Sequence, residues 1–123
     1  MSDSESARSW DVRIEGSTVV VELPAGIELD RETGQRINER FFESVGQTGV
    51  DSVVTLLRVE DPLGSGLFDE VQRGAQRAAA EGVTRWAIHV REKIKGMAFE
   101  SNIDGLDTQV FEDERAARDW VDQ

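Results

Sequence analysis

The sequence predicts a single-domain α/β fold in which an N-terminal β-hairpin feeds a β-α-β-α-β-α-β-α alternation around a mainly parallel sheet. Three observations carry that expectation. Apolar residues recur with period two at Val12 and Ile14 and again through TVVVEL at 18–23, with Gly16-Ser17 between them as a two-residue turn. Beyond residue 30, short apolar runs alternate with segments of helical period, a pattern that builds parallel strands joined by right-handed crossovers. The run Val53, Val54, Leu56, Leu57 is almost uninterrupted, as in a strand covered on both faces, and so marks the sheet centre.

Taken in order, residues 1–9 are rich in Ser, Asp and Glu and hold too little apolar surface to offset ordering. They are read as a disordered acidic tail before one domain, residues 10–122. Strands are expected over 10–15 and 18–23, the second ended by Pro24 and Gly26. Asp30 is placed to cap a first helix, with Glu32 in its first turn and Ile37, Phe41, Phe42 and Val45 on one face. Gly46 and Gly49 close it, and the central strand follows over 53–57. A second helix starts near Ser65, where a serine hydroxyl can cap it. Its apolar stripe is Leu67, Phe68, Val71, Ala75, Ala78 and Ala79, with Asp69, Glu70, Gln72, Arg73 and Gln76 outside, and Gly82 stops it. WAIHV at 86–90 is a fourth strand. A weaker helix over 94–103 contains Gly96, a short strand follows over 107–111, and Asp113 caps a last helix with Ala116, Ala117, Trp120 and Val121 inward.

Composition narrows the function. The 123 residues carry 25 acids and 14 bases, a formal charge of −11, and only Lys93 and Lys95 are lysine. An acid-rich, lysine-poor surface suits solubility in molar salt, where the Debye length shrinks to about 3 Å, and so points to a haloarchaeal type of cytoplasm. An ordinary acidic mesophilic protein is the alternative. Phosphate backbones need a basic face, so no nucleic acid is expected as a partner. With no cysteine there is neither a disulfide nor a thiolate site. No apolar run approaches the roughly 20 residues of a membrane span, and MSDSESARS does not resemble a signal peptide, so a cytoplasmic protein without an integral membrane segment is expected. No nucleophile–base pair, paired carboxylates or metal-ligand spacing is evident. The reading is therefore of a non-enzyme without cofactor or metal.

The candidate sites fall in two places. The first is the loop into the second helix, Asp61, Gly64, Ser65, Gly66 and Leu67, as a partner- or ligand-binding loop. Ser65 there is a candidate phosphoacceptor, because a phosphate at a helix N-terminus meets free N–H groups and the helix dipole. The second is the basic island after the fourth strand, where Arg91, Lys93, Lys95 and Phe99 form a candidate anion or ligand site at the strand end that α/β sheets commonly use. His89, the only histidine, is read as a satisfied structural residue rather than a base, and the acidic run Glu112-Asp113-Glu114 as a solvated cap.

Over residues 11–121 the chain resembles the STAS superfamily, the sulfate transporter and anti-sigma factor antagonist domain. The resemblance rests on element order, length and Ser65-Gly66-Leu67, which matches the end of the family's Asp-Ser-Ser-Gly-Leu, with Leu63 and Gly64 at the first two positions. It implies a regulatory module that docks a protein partner through this loop and the second helix, switched by phosphorylation of Ser65. The closing segment, with Phe111, Ala117 and Trp120, is similar to a divergent SEC14-like branch and implies the alternative of a lipid or small hydrophobic ligand. A monomer or weak homodimer, pairing through the edge strand at 10–15, is the third expectation.

Overall fold

The computed structural model describes residues 10–60 and 63–123, so the expected tail at 1–9 and Asp61 lie outside the described residues. Val12 and Ile14 alternate into strand β1 (Asp11–Glu15), and Gly16, at φ 65°, supplies the left-handed turn into β2 (Thr18–Leu23). Helix α1 (Arg31–Val45) is started by Asp30, whose carboxylate accepts from the Thr33 N–H at 2.9 Å, as expected. Then come β3 (Ser52–Leu57), α2 (Ser65–Ala80), β4 (Arg85–Val90), α3 (Lys93–Glu100), β5 (Asp107–Phe111) and α4 (Glu114–Val121). Asp113 caps α4 as expected, accepting from the Arg115 N–H at 3.0 Å.

The sheet runs β1-β2-β3-β4-β5, with β1 antiparallel and the rest parallel, so β3 lies at the centre. This is the α/β, STAS-like order expected. Because successive crossovers step in one direction and are right-handed, they place α1, α2 and α3 on the same face. The main core lies there, with Val19, Val53 and Ile88 of the sheet against Phe41 of α1, Val71 and Ala75 of α2 and Phe99 of α3. Trp86 is its hub: its ring centroid is 5.3 Å from Phe41 and 6.4 Å from Phe99, and its Nε1–H donates to Thr55 Oγ1 at 2.8 Å.

The opposite face has one helix of eight residues. Ala117 and Val121 of α4 close over Val20, Val54, Leu56 and Ala87, with Phe111 and Trp120 at the margin. Beside it charged side chains form a closed ring. Arg13 bonds Glu22 (2.9 Å), Glu22 meets Arg58 (3.5 Å), Arg58 bonds Glu114 (2.6 Å), Glu114 bonds Arg118 (3.0 Å), Arg118 bonds Glu15 (2.8 Å) and Glu15 returns to Arg13 (2.7 Å). The ring fastens α4 to the hairpin and to the end of β3.

Several expectations are corrected. The apolar stripe of α2 is rotated, with Glu70 and Gly74 buried and Ala79 exposed. Gly74 lies in a tight crossing, where a Cβ would sit 3.1 Å from Asn38 Oδ1. Glu70, at 5 % exposure, survives burial because Asn38 Nδ2 donates to its Oε1 (3.1 Å) and its backbone oxygen (2.8 Å), while Arg73 Nη1 reaches the carboxylate at 3.2 Å. The cap of α2 is Gly64; Ser65 is its first helical residue and makes no side-chain capping bond. Helix α3 ends at Glu100 rather than 103.

Gly96 also has a packing reason. A Cβ there would fall 2.6 Å from Val110 Cγ1 and 3.0 Å from Val90 Cγ2, so only glycine lets α3 lie this close to β4 and β5. Overpacking of this kind costs about 1–3 kcal/mol, more than the ~1 kcal/mol of helix propensity alanine returns. Gly96→Ala is therefore expected to lower the urea midpoint, whereas Gly26→Ala, with open space around it, is not.

Candidate functional site

The parallel strands end at one edge of the domain, where β3 runs into the loop before α2 and β4 turns through Arg91-Glu92 into α3. Two concavities lie between these connections. A cleft of about 280 Å³ is lined by Leu57, Arg58, Val59, Glu60, Val90, Arg91, Glu92 and Lys95. Next to it a shallower groove of about 400 Å³ has Leu63 and Phe68 on one wall, Ile94 and Ala98 on the other, and Glu60, Glu92 and Lys95 on the side shared with the cleft.

The basic island divides. Lys95 turns inward, its Nζ donating to the backbone oxygens of Val59 (2.7 Å) and Glu60 (2.9 Å), so it satisfies the end of β3 and ties α3 to it instead of facing an anion. Phe99, at 5 % exposure, belongs to the core. Arg91 and Lys93 stay exposed. Strands β2 to β5 lie in simple sequence, so no reversal of strand order deepens a crevice at this edge.

The Ser65 loop divides as well. Gly64 and Ser65 are exposed, and among the described residues the Ser65 hydroxyl has no hydrogen-bond partner. Gly66 lies under Arg31, whose Nη2 bonds Asp69 Oδ2 at 2.8 Å, and a Cβ on Gly66 would come 3.2 Å from Arg31 Nε. Leu67 is a core residue and cannot meet a partner.

Sequence reading missed Ile94, and took Met97, with Phe99, as a residue to line an apolar pocket. With Ile14, Ile94 and Met97 are the large hydrophobic side chains left exposed among the described residues, the last two at 84 % and 53 %. The signal was present: Gly96 and Phe99 make the buried face of α3, so apolar residues at 94 and 97 occupy a second face that nothing among the described residues covers.

Beneath α1 and α2 a mostly apolar cavity of about 50 Å³ is lined by Leu23, Ile37, Phe41, Leu67, Trp86 and Phe99, among others. Engineered cavities that accept benzene are near 150 Å³, so this one has no room for an acyl chain. On the other face, His89 Nδ1 is buried and has no partner among the described residues, contrary to the satisfied role expected. Burial, reinforced by the Arg58 cation, lowers its pKa and keeps it neutral, although Glu114 and Asp113 pull the other way. Glu114 belongs to the ion ring and not to a solvated cap. Among the described residues no three His, Asp or Glu gather to hold a metal, and no helix is long and apolar enough to cross a membrane.

The chain matches no family model and no curated protein. Among solved structures it is similar to the NMR structure of the protein TM1081, with a TM-score of 0.67 over 91 % of this chain and 87 % of that one, at 13 % identity. At that identity the likeness is one of fold.

Proposed function

We propose that the chain is a non-catalytic regulatory module of the STAS type that docks a partner protein at the strand-end edge. The surface used comprises the β3–α2 loop, the start of α2 and the outer face of α3. The observation that supports it is the pair Ile94 and Met97, left in water beside a groove walled by Leu63 and Phe68. Scattered exposed apolar residues are normal, but a contiguous set around a groove marks an interaction site. Ser65, exposed two residues beyond Leu63, is the switch in this reading. A phosphate of about −2 charge at the start of α2 changes the surface the partner meets. The carrier reading draws no support from the interior cavity, whose volume is too small for a lipid.

Ile94→Asp tests the docking. Burying an isoleucine is worth about 1.5–3 kcal/mol, so partner affinity should fall by at least tenfold. Thermal stability should stay within about 0.5 kcal/mol, because the side chain touches little of its own domain. Pull-down from the native source, comparing this variant with the parent chain, reads the first quantity; equal recovery of the same partner by both rules out this face.

A further inference from the structure

Almost every cation in this acidic chain is occupied by its own protein. Arg13, Arg31, Arg36, Arg58, Arg73, Arg77 and Arg118 pair with carboxylates. Arg40, Arg85 and Lys95 are bound to backbone oxygens. Among the described residues only Arg91, Lys93 and Arg115 make neither an ion pair nor a side-chain hydrogen bond. Arg115 is on α4, while the other two lead into α3 directly before Ile94.

Resting on the docking reading above, we infer that the occupant of the groove is an acidic peptide segment carrying a bulky apolar anchor. The anchor enters between Leu63 and Phe68 on one wall and Ile94 and Ala98 on the other, and flanking carboxylates meet Arg91, in the adjoining cleft, and Lys93, which is exposed beside Ile94 outside the groove's lining. Charge complementarity carries the choice. A basic partner would find attractive surface over most of a domain with a formal charge of −11, and nothing would direct it to this groove. An acidic partner is repelled over most of the surface and, among the described residues, meets unpaired cations only beside this groove and at Arg115, so attraction and apolar contact coincide at one place. A groove, rather than a flat patch, favours an inserted side chain over a lipid surface.

The test is selection of random displayed peptides on the full-length chain at about 0.15 M salt, followed by titration of the enriched peptides. Enrichment of net-negative peptides with an aromatic or large aliphatic residue is expected. Their affinity should drop at least tenfold with Ile94→Asp and at least tenfold with Arg91→Glu/Lys93→Glu, whose own selection should turn to basic peptides. Enriched peptides that depend on Ile94 but show no acidic bias, or that bind the charge-reversed variant unchanged, overturn the partner chemistry and leave docking intact. Peptides indifferent to Ile94→Asp overturn both. Ile94-dependent sedimentation with phosphatidylserine vesicles, or an Ile94-dependent dimer by ultracentrifugation, assigns the face to a membrane or a second copy and also overturns the inference. Circular dichroism confirms that each variant is folded.

Discussion

Trp86→Ala is expected to cost about 3–5 kcal/mol of unfolding free energy, enough to leave a domain of ordinary stability, about 5–15 kcal/mol, marginal or unfolded. The ring joins Phe41 of α1 to Phe99 of α3, so its loss unlinks two helices from the sheet at once. The void also opens into the existing 50 Å³ cavity, which has Trp86 in its wall, and a larger void relaxes less completely. Trp86→Phe separates packing from polarity. It keeps an aromatic between Phe41 and Phe99 but removes the donor to the buried Thr55 hydroxyl, for an expected loss of about 1–3 kcal/mol. Urea unfolding followed by far-UV circular dichroism measures both, and a loss below about 1 kcal/mol for the alanine variant would show that the core collapses around the site. The consequence reaches the proposed docking face, because Phe99 anchors α3 in the core while Ile94 and Met97 are exposed.

Acid is expected to weaken the domain in two steps, the first at His89 and the second at the carboxylates of the ion ring and the α1 cap. His89 has a lowered pKa in the folded state, from burial first and Arg58 second, whereas the unfolded imidazole titrates near ~6.5. As pH falls below about 6.5 the unfolded chain takes up a proton that the folded one refuses, so stability declines until the folded pKa has been passed. The carboxylates act next. Glu15 is held below the usual range by Arg13 and Arg118. Burial pushes Glu114 up, but Arg118 and Arg58 outweigh it and the net direction is down. Asp30, bonded to the Thr33 amide, is lowered too. Unfolded carboxyls protonate near ~4.3, so the stability these groups provide is intact above that pH and lost as pH falls through their folded values. His89→Gln should abolish the upper step and keep the lower. Arg58→Met should cost about 1–2 kcal/mol at neutral pH, since Glu22 and Glu114 lose a shared cation and exposed pairs are worth up to about 1 kcal/mol each. Urea midpoints across pH and amide exchange of α4 read the outcome; a flat profile between about pH 7 and 5 contradicts a buried neutral His89.

Much of the architecture was legible because it is local. Period-two runs made β1 and β2, Gly16 made their turn, Asp30 and Asp113 capped where side-chain chemistry predicts, and the apolar run at 53–57 announced the central strand. Those signals depend on residues within a few positions of one another, and so sequence alone determined element order, the parallel sheet and its hairpin edge. Position across the fold was not legible. Glu70 reads as a solvent residue until Asn38, 32 positions away, is brought to it by the α1–α2 crossing, and His89 reads as satisfied until burial strands its Nδ1. Lys95 and Phe99 read as site residues until the end of β3 claims one and Trp86 the other.

The ring of ion pairs joins residues 13 and 118, which only the doubling back of α4 over the second face can unite. The exposed face of α3 is intermediate: Ile94 and Met97 were visible in the chain as a second apolar stripe on a short helix, but which stripe faces water was decided by the fit of Gly96 against Val110 and Val90. Local spacing determined which elements form. Close packing among distant elements decided which side of each stays exposed.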